Sequence, residues 1–223
     1  MIRIPSPARL LLIPVALFGA ACASGGGASR RAEARTGFED APLGALPAGW
    51  TAGENQGTGK PARWTIEKDE SAPKDPHVLT VRTENIEQTF NWCVFDDLVA
   101  KDVDVAVSLK PLDGHDDQGG GLMFRFQDAN NYYLTRWNPL ETNVRLYHVK
   151  DGKRTTLGDA DVETTPGWHR LAVTMQGTRI QVRLDDRALV EVHDSAFRDA
   201  GKVGLWTKAD AVTSFDDFLV RRL

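Results

Sequence analysis

Alternating apolar and polar residues run from Gly119 to Val149, in the sequence GGGLMFRFQDANNYYLTRWNPLETNVRLYHV. Two short links interrupt the alternation, Asp128-Ala129-Asn130 and Pro139-Leu140-Glu141, and both contain residues that favour turns. A period of two is typical of extended strands, because successive side chains point to opposite faces of a sheet. The segment therefore predicts three consecutive antiparallel strands.

The same alternation divides these strands into two faces. In the middle strand both faces carry aromatic residues, and we place Tyr133, Thr135 and Trp137 inside. The predicted inward set is then Leu122, Phe124, Phe126, Tyr133, Thr135, Trp137, Val144, Leu146 and His148. The predicted outward set is Met123, Arg125, Tyr132, Leu134, Arg136, Asn143, Arg145 and Tyr147. Three neighbouring guanidinium groups on one face are unfavourable unless something anionic or rich in hydroxyls meets them.

Residues 1–21 have the features of an export signal. Arg3 and Arg9 give a positive start, and the apolar run that follows is too short to span a bilayer comfortably. The sequence 19–22, Gly-Ala-Ala-Cys, resembles the bacterial lipobox, although Gly19 stands where leucine is preferred. Cys22 is then the candidate lipidation site, and residues 22–35 form a flexible tether. Ordinary cleavage after Ala21 or Ala23 is the alternative.

The charge balance argues against nucleic acid as a partner. Removing residues 1–21 takes Arg3 and Arg9 from the 27 basic side chains and none of the 31 acidic ones, which leaves 25 against 31, a net charge of −6. No basic stripe occurs, and nucleic-acid-binding domains usually carry one. Cys93 is the one cysteine beyond the tether, so an intrachain disulfide is excluded there, and its place in an alternating run predicts a buried, unreactive thiol.

Residues 36–223 lack helical periodicity and predict a single all-β domain. Val103, Val105, Val107 and Leu109 alternate with polar or small residues, as do later runs around Val173. Turn signals such as Asp151-Gly152 separate roughly fourteen short strands. This spacing predicts a two-sheet antiparallel sandwich.

Several segments resemble the concanavalin A-like jelly-roll superfamily. They are GGGLMFRFQDANNYY, LTRWNPLETNVRLY, the strand entry Gly167-Trp168-His169 and GKVGLWTKADAVTSFDDF. Within that superfamily they are similar to bacterial LamG-like proteins, close to the 3-keto-disaccharide hydrolase family. The resemblance implies two curved antiparallel sheets, a carbohydrate partner held on the concave face and an activity on glycosides.

The first candidate site is the outward arginine face. Its predicted substrate-binding residues are Arg125, Arg136, Asn143, Arg145, Tyr147, Trp206 and Lys208. Guanidinium and amide groups hydrogen-bond sugar hydroxyls, a keto oxygen or a carboxylate, and an indole stacks on a sugar ring. The alternative is a solvated sheet face whose arginines pair with local acids such as Asp113 or Glu141.

The second candidate is the acidic loop that leads into the first of the three strands. Asp116 and Asp117 are the candidate catalytic acids or bases, with His115 beside them. Flexible loops rich in Asp and Gly are also common without any chemistry. A family-16 glycosidase mechanism is rejected, because the nearest match to its paired carboxylates, Glu67-Lys68-Asp69-Glu70, has the character of a turn.

The third candidate is a metal site. Glu39 and Asp216 resemble the paired acids that hold a structural Ca²⁺ where the terminal strands of such jelly rolls meet, and the alternative is two acids that seat the chain ends. The scattered histidines exclude a transition-metal site. No cofactor beyond this Ca²⁺ is expected.

Two functions stay open. One is an exported enzyme that cleaves a glycoside or 3-keto-glycoside, and the other is a non-catalytic glycan-binding or envelope module that uses the same face. The expected location is the bacterial cell envelope, reached through a lipid on Cys22, or else the periplasm or medium. We expect no other membrane contact.

Overall fold

The computed structural model describes residues 33–55, 61–85 and 88–223, as well as Met1. The predicted export signal, Cys22 and nearly all of the tether lie outside the described residues. Within the described part of the chain every regular element is a β-strand, and no helix is long and apolar enough to cross a membrane.

Fifteen strands form two antiparallel sheets in the described residues. They are β1 (Glu33–Thr36), β2 (Trp50–Asn55), β3 (Arg63–Lys68), β4 (His77–Arg82), β5 (Phe90–Ala100), β6 (Val103–Asp113), β7 (Gly120–Asp128), β8 (Asn131–Asn138), β9 (Asn143–Lys150), β10 (Lys153–Asp161), β11 (His169–Gln176), β12 (Arg179–Leu184), β13 (Arg187–His193), β14 (Gly201–Lys208) and β15 (Val212–Arg222). Sheet A has the order β13-β12-β11-β6-β15-β4-β3, with β1 paired to β15, and sheet B has the order β10-β9-β8-β7-β14-β5-β2.

The main core lies between the sheets. Val103, Val105, Val107 and Leu109 of β6 are fully buried in it, as their alternation predicts. Cys93 is also buried in this core, and burial raises the pKa of its thiol well above the usual value. The predicted all-β, two-sheet jelly-roll sandwich is confirmed.

A second apolar cluster covers the outer face of sheet B, on the side away from sheet A. Its buried members are Phe90, Val94, Met123, Phe126, Tyr132, Leu134, Tyr147, Val149 and Trp206. Solvated sheet faces alternate polar residues outward. These side chains are at most 9% exposed, so the outer face of sheet B forms a second packed layer instead of a solvated surface.

The predicted outward position of Arg125 is wrong. A β-bulge interrupts the pairing of β7 with β8 after Phe124, and Arg125 has a left-handed φ of 46°. A bulge adds one residue to a strand, so residues beyond it exchange faces. Phe126, predicted to be inward, therefore joins the outer cluster instead.

The Arg125 side chain is buried and ties loops together at one end of the sandwich. Its guanidinium donates hydrogen bonds to the carbonyl oxygens of Lys101, Gly177 and Phe197, each at 2.7 Å, and to Asp102 Oδ1 at 3.2 Å. All its donor nitrogens have partners, and its position is structural.

Candidate functional site

Arg136 and Arg145 lie opposite each other on β8 and β9, on the outer face of sheet B. Glu141, from the turn between the two strands, bridges them. Its Oε2 accepts from Arg136 Nη2 at 2.9 Å and from Arg145 Nη1 at 2.6 Å. Arg145 also donates to Asp159 at 2.9 Å, so its charge is matched locally.

Arg136 retains unused hydrogen-bonding capacity. Its side chain is only 2% exposed, yet Nε and Nη1 have no acceptor among the described residues. A buried donor without a partner costs about 1–3 kcal/mol. Such a group is expected where a ligand completes the bond.

Arg154 of β10 is the central member of this face, and sequence patterning misses it. Its guanidinium lies 4.6 Å from the ring centre of Tyr147, 5.2 Å from that of Phe90 and 5.9 Å from that of Trp206. Four strands separate β10 from β5, which carries Phe90. In a flat sheet those strands would be roughly 24 Å apart, at about 4.8 Å per strand. The contact therefore shows that sheet B curves strongly, with this face on its concave side.

Unpaired polar atoms continue across the same face. The Tyr132 hydroxyl lies beside the indole of Trp206 and the side chain of Asn55, and burial raises its pKa. None of these groups reaches good hydrogen-bond geometry: the Tyr132 hydroxyl, Trp206 Nε1 and both amide atoms of Asn55 lack partners. Asn143 Oδ1 and Arg154 Nη1 are unpaired as well. This face therefore carries both hydrogen-bond donors and hydrogen-bond acceptors that lack partners among the described residues.

Asp117 is the carboxylate that reaches this face from the acidic loop. It is 2% exposed, accepts from Asn138 Nδ2 at 2.9 Å, and has Oδ2 at 3.4 Å from Lys208 Nζ without a well-aligned hydrogen bond. Burial raises the pKa of Asp117, and the nearby charges of Arg136 and Lys208 offset only part of that effect.

Asp210, in the turn between β14 and β15, holds the acidic loop in place. Its carboxylate accepts the backbone N–H groups of His115 at 2.6 Å and of Asp116 and Asp117 at 3.0 Å. Burial opposes ionisation of Asp210, but these three donors outweigh it and keep its pKa below the usual value.

The other two predicted catalytic residues point elsewhere. The His115 side chain is 98% exposed and that of Asp116 is 49% exposed, and they contact each other at 3.3 Å. The structure therefore brings Asp117 to the curved face and leaves His115 and Asp116 in solvent.

The predicted binding residues divide in the same way. Arg136, Asn143, Arg145, Tyr147, Trp206 and Lys208 lie on or beside the concave face of sheet B, and Arg125 does not. Tyr132, Phe90, Asn55 and Arg154 were not predicted. Tyr132 was within reach of sequence reasoning, since its alternation with Leu134 and Arg136 places it outward. Arg154 was not, because its contribution depends on the curvature of the sheet.

Glu39 and Asp216 do lie near each other. Asp216 is fully buried, and its carboxylate accepts backbone N–H groups from Lys74 and Asp217. Burial raises its pKa to about 6, against those two hydrogen bonds and together with the charges of Asp217 and Glu39. No described cation pairs with Asp216.

The described side chains alone do not form a metal site. The described residues contain no group of three acidic, His or Cys side chains suited to a metal, so backbone oxygens would have to complete a Ca²⁺ shell beside Glu39 and Asp216.

Comparison with known proteins places the chain by fold. No protein-family model matches it. A curated relative, levanase from Bacillus subtilis strain 168, is 30% identical over 96 residues, which make up 42% of this chain but only 14% of levanase.

Solved structures share the same architecture. Carbohydrate binding module CBM66 from Bacillus subtilis matches with a TM-score of 0.60 and 20% identity, over 79% of this chain and 98% of that module. Cellulose induced protein Cip1 matches with a TM-score of 0.61 and 12% identity, over 84% and 96% of the two chains. The Ca²⁺/Man3GlcNAc-bound VIP36 lumenal domain matches with a TM-score of 0.52 and 12% identity, over 81% and 86%. The fold is a concanavalin-like β-sandwich.

Proposed function

We propose that the chain is an exported carbohydrate-binding protein that holds its ligand on the concave face of sheet B. The observation that carries this proposal is the set of buried, unpaired polar atoms on Arg136, Arg154, Asn143, Asp117 and Trp206. Buried polar groups in folded proteins almost always have partners. A concentration of exceptions on one face supports a ligand site there.

The chemistry of the open positions fits a polyhydroxylated ligand. Arg136 and Trp206 offer donors, whereas Asp117 Oδ2 and Asn143 Oδ1 offer acceptors. A sugar hydroxyl both donates and accepts, so one ring with several hydroxyls satisfies both kinds of atom. Trp92 lies directly opposite Trp206 on β5 and is partly exposed, which supplies an aromatic surface for a sugar ring.

The comparisons support the same proposal. The CBM66 structure is a carbohydrate binding module by name, and levanase is named for levan. Because the chain spans 14% of levanase, the activity of that enzyme is not carried over with the match. Levan belongs in the test panel.

The test is calorimetric titration of the purified protein with levan, fructose, gluco- and galacto-oligosaccharides and uronic-acid sugars. At least one glycan is expected to bind, and Arg136→Gln is expected to weaken that binding about ten- to hundredfold, which corresponds to the loss of about 1.5–3 kcal/mol typical of a charged hydrogen bond. Arg179→Gln is the control, because Arg179 pairs with Glu191 on the exposed side of sheet A. Failure of every glycan to bind would overturn the proposal.

A second function, cleavage of a glycoside or 3-keto-glycoside, is favoured by Asp117. Its carboxylate is buried, has an unpaired oxygen and lies beside two cations. Such a group could remove the proton that a neighbouring keto group makes acidic, while Arg136 polarises that keto oxygen. In this proposal Asp117→Asn abolishes turnover of a 3-keto-disaccharide but leaves binding within a few-fold. Equal turnover of the 3-keto-disaccharide in the wild type and the variant would contradict the catalytic proposal.

Two further proposals concern the chain ends. We propose that Ca²⁺ binds between Glu39 and Asp216, because a fully buried carboxylate with no described counter-ion is stabilised by a bound cation.

We also propose that the protein is anchored to the cell envelope by a lipid on Cys22. The mass of the native protein tests the second proposal: a lipidated cysteine as the first residue supports it, and an unmodified residue there overturns it.

A further inference from the structure

We infer that the sugar residue bound on the concave face of sheet B carries a carboxylate, as a uronic acid does. This inference rests on the proposed carbohydrate-binding function and deepens it by naming the class of ligand. It follows from the balance of charge on the face and from the position of Arg154.

One cation on this face has no carboxylate partner in the described part of the chain. Glu141 bridges Arg136 and Arg145, Asp159 pairs with Arg145, and the Lys208 ammonium faces Asp117 at 3.4 Å. Four cations thus meet three carboxylates, and the unmatched one is Arg154, which has no ion pair among the described residues. A single negative charge on the ligand matches a surplus of one, whereas a phosphate at neutral pH would exceed it.

Aromatic rings hold the Arg154 guanidinium in place without neutralising it. Tyr147, Phe90 and Trp206 surround it at 4.6 to 5.9 Å, so it is fixed by cation–π contacts before any ligand arrives. Its Nη1 is buried and lacks an acceptor, and so do Nε and Nη1 of Arg136. Sugar hydroxyls would accept these hydrogen bonds but would leave the charge of Arg154 unmatched. A carboxylate accepts the hydrogen bonds and also balances the charge, and hydrogen bonds between two charged groups are roughly twice as strong as neutral ones.

The experiment compares sugars that differ only in this group. The purified protein is titrated at pH 7 and low salt with glucuronate, glucuronamide and glucose, and with galacturonate and galactose. The acid is expected to bind at least about tenfold more tightly than its amide or neutral counterpart, and the ratio should fall as salt is added. Arg154→Gln should reduce the ratio to about one, Arg154→Lys should retain part of it, and the distant Arg179→Gln should leave it unchanged.

Each result distinguishes this inference from the proposed function. Neutral sugars that bind as tightly as their acids would overturn the inference and leave carbohydrate binding intact. Binding to none of the sugars, levan included, would overturn the proposed function and this inference with it. An unchanged preference in Arg154→Gln would overturn the assignment to Arg154. The comparison of acid with amide needs only the wild-type protein, so it does not depend on the folding of a variant.

Discussion

Asp210 accepts the backbone N–H of Asp117 at 3.0 Å, and it accepts those of the two preceding residues as well. It lies two residues beyond Lys208, whose ammonium group faces the Asp117 carboxylate. The Asp210 side chain therefore holds the loop that carries Asp117 and, with it, the distance between the Asp117 carboxylate and the Lys208 ammonium. Asp210 is a positioning residue for this site.

We predict that Asp210→Ala weakens glycan binding about tenfold, although Asp210 does not reach the ligand face. Loss of the carboxylate leaves three N–H groups without an acceptor and frees the loop. Asp210→Asn should recover part of the affinity, because its remaining Oδ1 still faces Asp116 and Asp117. The exposed Asp116→Ala is the control. Calorimetry decides the matter, and an Asp210→Ala protein with wild-type affinity would show that the loop needs no such support.

The buried guanidinium of Arg125 predicts a loss of stability without a loss of binding. Arg125→Met would leave three carbonyl oxygens without this donor, while Asp102 Oδ1 would keep only the Gly177 N–H. Each buried acceptor left without a partner costs about 1–3 kcal/mol, so the loss should be at least about 2 kcal/mol. Arg179→Met, which breaks an ion pair exposed to solvent, should change stability far less. Urea unfolding measures both. A large drop in glycan affinity in folded Arg125→Met would return Arg125 to the ligand face.

The proposed Ca²⁺ site predicts a melting temperature that depends on calcium. Addition of 1 mM Ca²⁺ to protein treated with EDTA should raise it by several degrees, because a ligand that binds only the folded state stabilises that state. Glu39→Gln should abolish the increase, and Mg²⁺ should reproduce little of it. Identical melting curves with EDTA and with Ca²⁺ would leave Glu39 and Asp216 as acids that seat the chain ends.

The raised pKa of Asp216 predicts that the folded state loses stability as pH rises. Its carboxyl titrates near pH 6 when folded and near 3.8 when unfolded, so the folded protein holds the extra proton between these values. The stabilisation is complete below about pH 4 and is lost as pH passes 6, by about 3 kcal/mol at most. Urea unfolding in EDTA from pH 4 to 7 measures it. The difference between wild type and Asp216→Asn isolates this group from the other acids, and parallel curves would contradict the prediction.

The alternation from Gly119 to Val149 was enough to predict β7, β8 and β9, because each has one face against the core. It failed at Arg125, since a bulge needs only one residue in a left-handed conformation and leaves no mark on the apolar pattern. A Cβ at Gly201, the first residue of the neighbouring strand β14, would clash with the backbone of Arg125. That requirement becomes visible only when the strands are paired.

The candidate site was predicted in part for a similar reason. Arg136, Arg145, Asn143 and Tyr147 share neighbouring strands, so local alternation placed them together. Arg154 joins them through rings that come from β9, β14 and β5. The curvature of a sheet accumulates from small twists between many neighbouring strands. A contact that depends on this curvature therefore cannot be predicted from one short stretch of sequence.

The pairing of β1 with β15 has a mechanical consequence. Glu33 lies opposite Arg221 and Thr36 lies opposite Phe218, so the two strands run antiparallel with Glu33 and the last residues of β15 at the same end. A pulling force applied through that end would open their ladder like a zipper, one pair at a time, instead of shearing all pairs together. β15 is held on both sides by β6 and β4, whereas β1 pairs with β15 alone among the described strands. In a protein anchored as proposed, β1 would therefore detach first under load, while sheet B, the sheet proposed to bind the ligand, would stay folded.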